Sequence, residues 1–155
     1  MGLDFQRLIQ ELAVNLKQPL MDPIEDACRI SWDGIDLFVY AHVEGEKGLI
    51  ILTLEFGELS SEPNVSFLEK MLSGNYLWAM SEYATLSIHP ESKKLTLCDR
   101  LFAEKVNADM LTKRVGQLYH AALYWKGAAE EENNQYSSHN DLNYASGRYE
   151  FLTKV

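Results

Sequence analysis

Four histidines, His42, His89, His120 and His139, are the residues of this chain best suited to move a proton or hold a metal near neutral pH. A helical metal pair needs two of them at i and i+4, and a zinc site needs Cys or carboxylate ligands close by. None of the four meets either pattern. Cys28 and Cys98 are too few and too far apart for a zinc motif or a disulfide framework. Each lies in an apolar alternation, where a free thiol behaves as a small core residue. The nine glycines are scattered and open no phosphate-cradling loop, and no Gly-X-Ser-X-Gly elbow presents a nucleophile. The acidic groups Glu44/Glu46 and Glu130/Glu131/Glu132 fall in a loop and at a helix end, where solvated surface accounts for them. Trp32, Trp78 and Trp125 each fall on an apolar phase, which suits core or interface better than base stacking. No metal, no cofactor and no enzyme are expected. The surviving catalytic reading is a small enzyme using His42 or His120 with a neighbouring carboxylate.

The charge balance narrows the partners. Over 155 residues, 14 Lys and Arg stand against 23 Asp and Glu, a formal charge of −9. Nucleic acid and anionic membranes both select clustered basic residues, so neither is an expected partner. No apolar run approaches the ~18 residues that span a bilayer. The opening residues lack the basic stretch and long apolar run of a signal peptide, so a cytoplasmic protein is expected. Hydrophobic residues at 46% and charged residues at 24% suit one domain with its own core, over 1–130, followed by a polar tail over 131–155.

The elements that would position any site follow from periodicity. Phe5, Leu8, Ile9, Leu12 and Leu16 share one face of a helix over 3–17, with Asp4 near its start and Pro19 beyond its end. Three strands come next: Ala27–Trp32, Ile35–Val43 and the nearly continuous apolar run Leu49–Phe56. Asp33-Gly34 and Glu44–Gly48 are the turns of this antiparallel meander. A second helix is expected from Val65 to about Met80, then strands Ala84–His89 and Lys94–Asp99 around a His89–Ser92 turn. Asn107 caps a third helix, where Leu111, Val115, Leu118, Ala122 and Trp125 repeat at helical spacing, with an end near Gly127. The order α-β-β-β-α-β-β-α predicts an α+β fold, with helices layered on an antiparallel sheet.

Two features exceed what such a fold needs. Phe67, Leu68, Met71, Leu72, Tyr76, Leu77 and Trp78 cover more than the one stripe a sheet can bury. Gly74 in their midst costs about 1 kcal/mol against Ala unless it admits a close neighbour. Contact between two copies across a twofold axis fits both facts, and cover by another helix of the same chain is the competing account. Phe38, Tyr40, Ile50 and Leu52 lie on the nominally outer phase of their strands, where a helix or an extended segment of another protein could cover them.

In this order and spacing the chain resembles the class I chaperones of bacterial type III secretion, the family named for the Tir chaperone. The stretches that carry the resemblance are Gln10–Leu20, Cys28–Gly34, Phe67–Trp78, Ala84–Leu97 and Val115–Lys126. They span roughly residues 5–130. Ser81-Glu82-Tyr83 stands where the family has a glycine before its fourth strand, and Leu101-Phe102 where it has Leu-Pro. The resemblance implies a cytoplasmic homodimer without enzymatic activity. It would bind the extended N-terminal segment of a type III effector and deliver it to the secretion ATPase. By position, Leu8, Leu12, Leu16, Ile30, Trp32, Phe38, Tyr40, Ile50 and Leu52 become the effector-binding candidates. Phe67, Met71, Leu72, Asn75, Tyr76, Leu95 and Leu97 become the dimer-interface candidates. Ordinary core packing competes for each of them. A regulatory or adaptor domain of the same fold, with a folded partner, is the alternative.

Overall fold

The computed structural model describes residues 4–44, 47–59 and 63–150. Helix α1 (Phe5–Leu16) begins where the Asp4 side chain accepts the Arg7 N–H at 3.1 Å, satisfying one of the donors a helix start leaves open. It ends at Lys17, which takes the left-handed conformation (φ 55°) ahead of Pro19. Four strands follow: β1 (Met21–Ile24), β2 (Ala27–Trp32), β3 (Ile35–Glu44) and β4 (Lys47–Glu58). Helix α2 (Val65–Asn75), strands β5 (Thr85–Ile88) and β6 (Lys94–Phe102), and helix α3 (Ala108–Glu150) complete the chain. The sheet is antiparallel throughout, in the order β1-β2-β3-β4-β6-β5.

The register fixes which residues share a face, because directly opposed residues of antiparallel strands point the same way. Ile30, Leu37, Leu54, Leu97 and Leu86 form one row across the sheet, and Cys28, Val39 and Leu52 belong to the next. These side chains are buried with Ile9 and Leu12 of α1, Met71 of α2 and Leu111, Val115, Leu118 and Trp125 of α3. The helices therefore lie on one face. The other face carries Arg29, Phe38, Thr53 and Cys98 in one row and Tyr40, Ile51 and Arg100 in the next, with no helix over it among the described residues.

The α+β reading holds, with three corrections. First, β1 is an additional edge strand. Pro23 and the absence of alternation hide it in the sequence, and an edge is where a strand tolerates proline. Second, α2 stops at Asn75 and not near Met80. The Asn75 amide accepts the Leu86 N–H at 2.8 Å and donates to the Leu86 carbonyl at 3.1 Å, so it grips β5 and turns the chain out of the helix. A single tight turn (Tyr76–Trp78) follows, with Leu77 and Trp78 at positive φ. Third, α3 runs through Gly127 to Glu150. Ala129 is buried beside Gly57, Asn133 donates to the Glu58 carbonyl, and Glu132 accepts the Asn64 N–H. These contacts outweigh the roughly 1 kcal/mol a mid-helix glycine costs. The tail expected over 131–155 is thus helical as far as 150, and 151–155 lie outside the described residues. So do residues 45–46 of the β3–β4 turn and 60–62 of the polar break before α2.

Gly74 has a neighbour in its own chain. A Cβ there would lie 2.6 Å from Cζ2 of Trp125 and 3.1 Å from Leu86. The glycine admits an indole, not the backbone of a second copy.

Candidate functional site

Two uncovered apolar regions of the described surface bear on the sequence-derived candidates. The first is on the bare sheet face. Phe38 and Tyr40, two residues apart on β3, stack with ring centroids 6.3 Å apart and planes 10° from parallel. Beside them Arg29 bonds Asp22 at 3.1 Å, and a hollow of about 130 Å³ opens between Ile24, Ala27 and the two rings. Burial, and then the charge of Glu55, push the Tyr40 phenol above its ordinary pKa, so it stays a neutral donor at pH 7. Round the end of β2, Trp32 stacks on Tyr119 of α3 at 5.0 Å. The Tyr119 hydroxyl donates to the Asp33 carboxylate at 2.6 Å, and Lys126 donates to the Asp33 carbonyl at 2.6 Å. The bond from the Tyr119 hydroxyl to the Asp33 carboxylate is the main reason the Tyr119 pKa is raised. The β2–β3 turn is thereby locked to α3.

The second region runs from α2 into β5. Leu72 and Tyr76 are 71% and 74% exposed, and Leu77, Trp78, Met80 and Tyr83 continue the patch. Leu77, Trp78, Glu82 and Tyr83 all sit at positive φ, which costs a non-glycine residue of order 1 kcal/mol or more.

The sequence-derived candidates divide sharply between surface and core. Leu16, Trp32 and Phe38 are half-buried, and Tyr40, Leu72 and Tyr76 are exposed, so a partner could touch them. Leu8, Leu12, Ile30, Ile50 and Leu52 are buried under the chain's own helices, as are Phe67, Met71, Leu95 and Leu97, and as partner surface these are corrected to core. Ile50 and Leu52 face inward because they oppose Ala41 and Val39; Ile51, opposite Tyr40, holds the outer position. Asn75 is taken up by Leu86 within the chain. Replacing it with alanine leaves both Leu86 backbone groups without that partner. The Asn75→Ala protein is expected to lose about 2 kcal/mol in urea denaturation; an unchanged midpoint would mean that water substitutes freely.

Leu77 and Trp78, part of the apolar excess expected of the second helix, are exposed, and so are Val14, Met80 and Tyr83, which apolar type alone does not separate from core. Among the described residues, no group of three His, Cys, Asp or Glu side chains gathers as metal ligands. His89 caps its own turn, its Nδ1 accepting the Glu91 and Ser92 N–H groups at 3.3 and 3.2 Å. His139 is helical, and its side chain lies outside the described residues. Burial pushes the Cys28 thiol up to about 11, which makes it an inert core group at pH 7. No helix of the described residues is long and apolar enough to cross a membrane.

These features define a small α+β class whose surface offers apolar relief beside a sheet. The chain belongs to the Tir chaperone protein (CesT) family, whose model matches residues 7–126. No curated protein matches the sequence. Among solved structures, the chain is similar to one in the ExsC–ExsE complex, at 16% identity and a TM-score of 0.67, covering 83% of this chain and 97% of that one. It is similar to a chain of the HopA1–SchA chaperone–effector complex at 16% identity and a TM-score of 0.61, covering 79% and 93%. A third is in the complex of the Yersinia pestis type III secretion chaperone SycH with a fragment of YscM2, at 18% identity and a TM-score of 0.55, covering 78% and 98%. At such identities the likeness is one of fold.

Proposed function

We propose that this protein is a cytoplasmic type III secretion chaperone. It grips the N-terminal chaperone-binding segment of a secreted effector in extended form, as a homodimer without enzymatic activity, and presents it to the secretion ATPase. Family membership supports the general role. The observation that carries it for this chain is the bare sheet face, where the stacked Phe38–Tyr40 pair stands beside the hollow at β1. An extended segment needs no pocket for a whole ligand. It needs alternating anchor points and little rearrangement of the host, and a rigid sheet provides both. The α2–β5 patch is assigned to the twin subunit, since its aromatic and aliphatic surface has no cover within the described chain.

The test is co-expression with an effector encoded beside the gene, followed by titration of the purified complex. Phe38→Asp with Tyr40→Asp is expected to weaken binding roughly 30- to 1,000-fold, the range for losing buried aromatic anchors. The bound segment should be protected from protease yet show no cooperative melt of its own. Undiminished affinity in the double variant would place the cargo elsewhere. A bound partner with its own cooperative transition would favour the adaptor reading.

A further inference from the structure

A separate recess lies where β6 outruns β5 and meets the first turns of α3. Strand β5 pairs with β6 no further than Cys98, and β6 runs on beyond it alongside β4 to Phe102. The recess measures about 450 Å³, within the range of roughly 300–1,000 Å³ usual for small-ligand pockets. Leu101, Phe102, Val106 and Met110 supply its apolar surface. On α3, Met110, Lys113, Arg114 and Gln117 follow one another along a single helical face and line it together.

The charge of this recess is opposite to that of the chain. The whole sequence carries 23 acidic against 14 basic residues, yet the lining contains Arg100, Lys105, Lys113 and Arg114 and no carboxylate. Arg114 is already neutralised by Asp99, at 2.6 Å, with both side chains mostly buried. Arg100, Lys105 and Lys113 have no ion-pair partner among the described residues. Lys105 lies 5.9 Å above the Phe102 ring, which holds a cation at the edge of the apolar surface. Glu104 and Asp109, close in sequence, do not line the recess. Apolar surface with a cationic border excludes a basic segment by repulsion and gives a free inorganic anion nothing for the apolar part. The α2–β5 patch assigned above to the twin meets α3 at Trp125, about 18 Å along the helix from Lys113, so the recess is not part of it.

We propose that this recess binds a segment of the exported partner in which an apolar anchor is flanked by carboxylates. The inference rests on the chaperone reading and adds to it a sequence class for one part of the cargo. The anchor sits against Phe102 and Met110, and the flanking Asp or Glu side chains meet Lys105 and Lys113.

The probe is a fluorescein-labelled decapeptide alternating Glu with Leu and Phe, titrated by anisotropy beside its Lys-for-Glu counterpart. The acidic peptide is expected to bind at least about tenfold more tightly, with an advantage that shrinks as salt is raised. Lys105→Glu with Lys113→Glu should reverse the preference, a result that damage to the fold cannot produce. Should that variant misfold, Lys105→Ala with Lys113→Ala should weaken the acidic peptide alone. Equal binding of the two peptides, or indifference to the substitutions, overturns the proposal. Loss of the dimer on charge reversal also overturns it, because the recess then belongs to the second copy. The peptides need no cargo, so an absent effector complex defeats the chaperone reading without altering this outcome. An effector complex with indifferent peptides defeats only the recess.

Discussion

Replacing Trp125 with alanine is expected to destabilise the protein by about 3–5 kcal/mol, the usual cost of removing a large aromatic side chain from a packed core. The indole is 0% exposed and stands at the junction of α2, α3 and β5. It lies so close to Gly74 that even a methyl group there would collide with it. Its Nε1 donates to the Met80 carbonyl at 2.8 Å, which ties down the strained turn after α2, and Lys70 lies 5.9 Å from its ring. Truncation would remove the packing and the hydrogen bond together. Backbone on three elements would have to move before the cavity could close. For a domain of this size the loss corresponds to a fall in Tm of about 10 °C. Urea denaturation followed by circular dichroism measures it directly. A shift under about 1 kcal/mol would show that the helices do not depend on this contact.

The same junction shows what can be read from sequence and what cannot. Helical repeats put Trp125 on the apolar stripe of α3, which the structure buries, and alternation marks the two faces of β2 and β3, of which the one carrying Ile30, Leu37 and Val39 is inward. Both periods survive because one face of each element is wet. Strand β4 has apolar residues on both phases from Leu49 to Phe56, so its alternation is silent. A one-residue error of phase exchanges the two faces of a strand, which is how Ile50 and Leu52 were read as outer residues when Ile51 is. The end of α2 is hidden for a related reason. Tyr76, Leu77 and Trp78 extend the apolar character of the helix, and what stops it is a side-chain grip on Leu86, eleven residues away. Gly127 carries the opposite lesson: a residue that commonly ends helices is overruled by the Ala129–Gly57 contact and the anchors at Glu132 and Asn133. The cationic recess was not legible at all. Arg100, Lys105 and Lys113 come from a strand, a turn and a helix and never form a run in the sequence, and only the fold brings them to one recess.

Substituting Leu72→Asp and Tyr76→Asp together is expected to convert the proposed dimer into a monomer. Both side chains project from the end of α2 with about three-quarters of their surface exposed. The fold does not use them, whereas Phe67 and Met71 on the opposite side of α2 are in the core. Leu77, Trp78 and Tyr83 extend the patch on a backbone held at positive φ. Strain that presents aromatic side chains to water is unfavourable for an isolated subunit, and contact with a second patch would offset it. A twofold interface uses each residue twice, so two substitutions place four charges in one buried region. Burying a large apolar side chain contributes about 1.5–3 kcal/mol. The dimer dissociation constant should therefore rise by at least about 1,000-fold. Light scattering at micromolar concentration should give twice the subunit mass for the unaltered protein and the subunit mass for the variant. Circular dichroism should be unchanged, which separates loss of association from loss of folding. A variant that remains dimeric would move the interface away from α2. An unaltered protein that is monomeric at that concentration would leave the α2–β5 patch free for cargo and remove the twin from the mechanism.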